Sequence, residues 1–281
     1  MLCLTLTGCV SISRDDLFLS NTSQQPGYAA PLAACDSEVS KRLSNDRDRG
    51  IESDTIRFIN WNMFKGHRKG WQLDLETYAE QHDMMTLQEA MLSDESKSLL
   101  SDYDFDWTLN MAFKMNGRPS GVMNVATVSP LYQCGFKVLE PIIRTPKTVL
   151  VSYYGLQGSD KPLLVANIHG INFSLGLGSY RKQLAQLHEA LQYHDGPMIL
   201  AGDFNSWSNR RLREVESLVA DLSLSSLEYK AKAGRRIFGH AVDHVFFRDL
   251  DVISHEVFEV TSSDHDPISV HFSFQAGRRH Q

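Results

Sequence analysis

The stretch Met198-Ile199-Leu200-Ala201-Gly202-Asp203-Phe204-Asn205-Ser206-Trp207 decides how this chain is read. It follows a Gly196-Pro197 turn signal, and its short apolar run between punctuating residues predicts a buried strand. The strand runs out in Gly202-Asp203-Phe204-Asn205, so a carboxylate and a carboxamide two residues apart leave it on the same side. An arginine-rich helical pattern begins near Asn209. A charged and an amide oxygen at the tip of a rigid strand suit a hard cation and a phosphoryl oxygen. A plain strand ending in an Asp-x-Asn turn has the same spelling, so the rest of the chain must decide.

Upstream, Ile56 to Asn62 alternates as a first core strand, and Gly70 to His82 has helical spacing. Met84 to Glu89 predicts a second strand that delivers Glu89 at its end, and Asp94 to Leu100 a short helix. Gly121–Ser129, Phe136–Glu140, Thr148–Tyr154 and Leu163–Ile168 carry β-formers between turn residues. Ser179 to Tyr193 spaces its apolar residues for one helical face, and a further helix covers about Arg210 to Ala220. Strands follow at Ala241–Phe247, Val252–Val260 and Ile268–Phe274. About ten strands with about four helices are too many strands for a doubly wound sheet. An α/β arrangement of two packed sheets with helices on the outer faces fits better, as one domain over 55–275. Residues 1–54 read as a polar lead-in and 276–281 as a tail.

The 281 residues, 42% hydrophobic and 22% charged, are ordinary for one large globular domain and argue against wholesale disorder. The net charge of -6 describes no general polyanion binder, so any nucleic-acid contact needs a local basic patch. Cys3, Cys9, Cys35 and Cys134 show no zinc spacing, and with three of them ahead of the domain no disulfide framework is expected. Leu6-Thr7-Gly8-Cys9 is similar to a lipoprotein cleavage box. The residues before it lack a positive charge and a full apolar core, so the chain as written reads as cytoplasmic and monomeric. The alternative is a cell-envelope lipoprotein whose start lies upstream, with membrane contact through a lipidated Cys9.

Separate strand ends deliver polar residues: Asn60 and Asn62, Glu89, His169 and Asn172, Asp203 and Asn205, and Asp264-His265, with Asp243 on the preceding strand. Trp61-Asn62, Leu87-Gln88-Glu89, Asn167-Ile168-His169, Gly202-Asp203-Phe204-Asn205 and Ser263-Asp264-His265-Asp266-Pro267 stand in the order of the endonuclease/exonuclease/phosphatase superfamily. The chain resembles that superfamily from about Ile56 to Phe274. Ser120-Gly121-Val122-Met123, the run from Asn167 to Gly176, and Trp207-Ser208-Asn209-Arg210-Arg211 are similar to its bacterial YafD-like branch. The resemblance implies a four-layered, deoxyribonuclease I-like sandwich of two mixed β-sheets, and Mg²⁺- or Mn²⁺-dependent cleavage of a phosphoester. The expected substrate is a phosphodiester or nucleic acid, with a phosphomonoester, a lipid phosphodiester or a non-catalytic binding role as alternatives.

On physical grounds Glu89, Asn62 and Asp264 are the expected metal ligands. His265, oriented by Asp243, is the expected general base. Asp203 positions water or assists the leaving group, and His169 is a candidate acid. Asn205, Asn172, Arg210 and Arg211 are the expected phosphate contacts. Arg213, Lys230, Lys232, Arg235 and Arg236 extend the basic set, although a solvated helix face accounts for such arginines equally well. His244 falls on the opposite face of its strand from Asp243 and reads as structural.

Overall fold

The computed structural model describes residues 10–12, 18–22, 35, 50–228 and 234–275. Two β-sheets pack face to face. The first holds β1 (Val10–Ser11), β2 (Phe18–Ser20), β3 (Ile56–Asn62), β4 (Met84–Met91), β5 (Asp106–Met115), β6 (Arg118–Ala126), β15 (Asp251–Val257) and β16 (Ile268–Ser273). Its order is β1-β5-β6-β4-β3-β16-β15, with β2 also on β5. The second holds β7 (Tyr132–Leu139), β8 (Pro146–Tyr154), β9 (Leu163–His169), β10 (Met198–Asp203), β11 (Ser225–Ser226) and β14 (Asp243–Arg248), in the order β11-β14-β10-β9-β8-β7. A small hairpin, β12 (Arg236–Ile237) with β13 (His240–Ala241), stands apart. Both large sheets mix parallel and antiparallel pairs.

Strand alternation explains the layers. In β3, β9 and β10 the residues Ile56, Phe58, Leu163, Val165, Ile199 and Ala201 meet between the sheets. Their neighbours point outward under helices. Ile59 and Trp61 lie beneath α1 (Trp71–Gln81) and α2 (Asp94–Asp102). Leu164, Ala166, Met198 and Leu200 lie beneath α3 (Gly178–Leu191) and α4 (Asn209–Asp221). This is the four-layered α/β sandwich expected. Ser93 caps α2 through Ser96, and Ser208 caps α4 by accepting from the Arg211 amide, which fixes where each helix starts.

Two findings depart from the sequence reading. Strand β5 was not anticipated, although Asn116-Gly117 closes its hairpin with β6 with both residues at positive φ, 51° and 78°. Cys35 and Cys134 form a disulfide across 99 residues, contrary to the expectation of none. Segments β1 and β2 add to the β5 edge, and the Cys35 bridge ties a further point ahead of residue 55 to the second sheet. The Cys9 box, Lys230, Lys232 and the tail 276–281 lie outside the described residues. No described helix is long and apolar enough to cross a membrane.

Candidate active site

The residues facing the other sheet turn from apolar to polar toward one end of the sandwich. Continuing the same alternation, β3 reaches Asn60 and Asn62, β9 reaches Asn167 and His169, β10 reaches Asp203, and β14 begins at Asp243. Gln88 Nε2 donates to both Asn60 Oδ1 and Asn167 Oδ1 at 2.8 Å, a cross-sheet amide floor beneath the site. Close approach of β10 to β9 requires Gly202: a Cβ there would lie 2.0 Å from the Ile168 carbonyl oxygen.

Glu89 does not obey the alternation. By parity it follows Met85 and Leu87 toward the helices, but the register against β6 slips between Leu87 and Ala90 and Glu89 takes φ 48°. That bulge turns its carboxylate into the cleft, a known use of bulges beside functional groups. There Lys65 Nζ pairs with Glu89 Oε2, and His169 Nε2 lies 3.7 Å from Glu89 Oε1. His169 Nε2 is also 3.6 Å from Asp203 Oδ2, and His265 Nε2 reaches the same oxygen at 4.0 Å. Glu89, Asp203 and His265 thus line a single cleft.

Asp243 Oδ2 holds His265 Nδ1 at 2.7 Å, with the His265 amide donating to Ser263 Oγ at 3.1 Å. Burial pulls His265 down, yet the charge and hydrogen bond of Asp243, then Asp203 and Asp264, outweigh it and raise the imidazole to about 10. Burial lifts Asp203 to about 6 despite the nearby His265 charge and the Asn205 amide. Burial alone would lift Glu89 as well. The charges of Lys65 and Lys147, with the neighbouring His169 and the Lys65 hydrogen bond, reverse it and hold that carboxyl at about 2. Burial, then Lys147, keeps His169 well below the ordinary histidine value.

Lys65 and Lys147 were missed in the sequence. Lys147 Nζ lies 2.6 Å from His169 Nε2, and since an ammonium only donates, Nε2 accepts and the imidazole is neutral. The signal was available: Lys147 opens β8, whose far neighbour in the antiparallel ladder is the end of β9. Glu140 was missed too; its Oε1 accepts from the backbone amides of Asn172 and Phe173, both at 2.6 Å.

Several expected roles need correction. Asn62 donates through Nδ2 to Asp203 Oδ2 at 3.1 Å and accepts the Phe64 amide on Oδ1, so it positions Asp203. Arg211 is buried and is no phosphate contact. Its guanidinium donates to the carbonyls of Ile171, Asn205 and Asn172 and to Ser174 Oγ, stacked 4.5 Å from both Tyr180 and Trp207. Arg210 is exposed at the start of α4. Asn172 Oδ1 accepts from Trp207 Nε1 at 3.0 Å and shapes the wall. Asn205 caps Asp203 through its amide at 2.9 Å and its Nδ2 at 3.3 Å. His244 faces away, bonded to Ser206 Oγ at 2.8 Å, as alternation predicts. Arg235 donates to the Asp264 carbonyl at 2.8 Å.

The donor set fits a cation. Among the described residues Asp203, Asp243 and His265 place ligand atoms within 4.8 Å of one another. Asp243 Oδ1 and Asp264 Oδ1 are buried without a hydrogen-bond partner, which a positive charge would satisfy. His265 Nδ1 is already spent on Asp243, so the carboxylate oxygens are the better ligands.

The profile of the "Endonuclease/Exonuclease/phosphatase family" matches residues 59–265. A UPF0294 protein of Klebsiella pneumoniae (strain 342) is 37% identical over 218 residues, 78% of this chain and 82% of that protein. The human Nocturnin catalytic domain with bound sulfate superposes with a TM-score of 0.62 at 18% identity, over 79% of this chain and 95% of that one. An endonuclease/exonuclease/phosphatase from Beutenbergia cavernae gives 0.58 at 16% identity, over 79% and 72%. At those identities the two structures establish likeness of fold.

Proposed function

Since the chain belongs to the endonuclease/exonuclease/phosphatase family, whose members hydrolyse phosphoesters, we propose that it is a divalent-metal-dependent phosphodiesterase. The observation that carries this reading is the run of contacts from Asp243 through His265 to Asp203, facing Glu89 and His169 across one cleft. A Mg²⁺ or Mn²⁺ would be held by Glu89 and the unpartnered Oδ1 atoms of Asp243 and Asp264, and would supply charge neutralisation at the phosphoryl oxygens.

The chain's own residues divide the remaining work. Asp203, fixed by Asn62 and Asn205 and poised near neutrality, orients the attacking water and takes its proton. This differs from the expectation that His265 is the base: raised to about 10, it is charged in the resting site. As the bond from phosphorus to water forms and the ester P–O bond breaks, His265 instead steadies the negative charge on the phosphoryl and departing oxygens, with Asp243 holding its orientation. Lys147 brings a second positive charge beside His169, where the non-bridging oxygens gather.

The test is turnover of bis(p-nitrophenyl) phosphate by the purified chain with Mg²⁺ or Mn²⁺ against an EDTA control. Hydrolysis that EDTA abolishes and metal restores supports the reading. No turnover of this or a panel of natural diesters with any divalent ion refutes it.

A further inference from the structure

We propose that the open end of the cleft docks on a lipid bilayer, so that the phosphodiester brought to it is a phospholipid headgroup. The substrate half of this rests on the hydrolase reading above. Five large apolar side chains stand exposed on three segments around that end: Ile142 54%, Ile143 44%, Phe173 48%, Leu175 91% and Phe238 84%. The segments are joined to each other and to the site. Glu140, at the base of the first, accepts the backbone amides of Asn172 and Phe173 on the second. Trp207 donates to Asn172 and meets the Phe238 ring of the third at 6.2 Å between centroids. Other exposed apolar residues, such as Leu73, Tyr193 and Ile253, stand elsewhere and singly, which is ordinary for a soluble surface. A cluster rimming a catalytic cleft is not.

Charge and chain entry favour a bilayer as occupant. The exposed charges on the stretches 140–145, 170–177 and 236–241 are Arg144 and Arg236, both positive, although the chain carries -6 overall. Basic residues beside apolar tips complement an anionic lipid surface. The N-terminal strand joins the sheet at this same end. Thr108 bonds Gln133 and Asn110 bonds the Phe136 carbonyl, so β5 and β7 run together toward the loop after Leu139. Val10 pairs with Met115 at that level. The Cys35–Cys134 bridge suits an oxidising compartment, where an envelope lipoprotein resides.

Single-stranded nucleic acid is the weaker occupant. Ile142, Ile143 and Leu175 have no flat π face on which a base could stack, and they protrude instead of walling a groove.

The experiment is flotation of the full, unlipidated chain with vesicles of equimolar phosphatidylethanolamine and phosphatidylglycerol. It compares wild type with the double variant Ile142→Asp, Leu175→Asp. Wild type should float, and the double variant should lose vesicle partitioning by at least about 100-fold, from two buried aliphatic side chains exchanged for charges. Its thermal unfolding and its turnover of soluble bis(p-nitrophenyl) phosphate should stay at wild-type level, while hydrolysis of a dye-labelled phospholipid in the vesicles is lost. Wild type that stays with the buffer, or a double variant that floats equally, overturns the docking surface. So does a double variant that loses oligonucleotide binding alone. Flotation that persists in a chain unable to cleave any diester keeps the surface and removes the hydrolase reading beneath it.

Discussion

Asp243→Asn isolates the contact that sets the charge of the site. The substitution keeps the size of the side chain and an oxygen able to accept from His265 Nδ1, now 2.7 Å from Asp243 Oδ2, but removes the negative charge. His265 stands at about 10 against an ordinary 6.5. Because its value is raised by folding, the associated stability is fully present below pH 6.5 and is lost as pH climbs through about 10. At about 1.4 kcal/mol per pH unit the whole interval is worth about 5 kcal/mol, an upper limit shared with Asp203 and Asp264. The share of Asp243 is of order 3 kcal/mol. Urea unfolding in EDTA, run on both proteins between about pH 6 and 10, measures it, since groups that Asp243 does not touch are common to both and cancel, and Asp203, which Asp243 also raises, titrates only at the acid end. The stability gap should be widest at the acid end and close toward pH 10. A gap that stays flat across this range, or a His265 ring resonance titrating near 6.5 in wild type, refutes the reasoning.

Three further outcomes are expected. Cys35→Ser removes a cross-link closing 99 residues, a loop for which chain entropy gives up to about 4.7 kcal/mol, so the melting temperature should fall by about 8 °C, read by calorimetry. Arg211→Met strips buried carbonyls of Ile171, Asn172 and Asn205 of their donor and should cost about 3 kcal/mol in urea, whereas loss of activity without loss of stability would return Arg211 to substrate binding. Lys147→Ala should lower kcat/KM by about 10²-fold, with partial recovery in Lys147→Arg, checked by steady-state kinetics on bis(p-nitrophenyl) phosphate.

Much of this was legible because strand alternation is a local rule. The parity that puts Ile199 and Ala201 between the sheets also puts Asp203 there, and the same rule separates Asp243 from His244. Glu89 was found by its motif, yet the bulge that aims it into the cleft has no spelling that alternation could reveal. Asn116-Gly117 is the turn signal of the hairpin that makes β5 a strand. Arg211 and Asn62 looked like ligand contacts because their chemistry suits ligands. What they bind is decided by carbonyls and carboxylates brought from elsewhere in the chain. A bridge between Cys35 and Cys134 spans 99 residues and leaves no periodic trace at either end.

The most direct measurement of the central claim is the Mg²⁺-dependent turnover of bis(p-nitrophenyl) phosphate by His265→Ala and Asp203→Ala beside wild type. Each variant should stay folded and lose about 10²–10³-fold or more in kcat, as removal of an electrostatic partner at the reacting phosphorus requires. Near-wild-type turnover in both would contradict the assignment of this cleft as the place where the ester is cut.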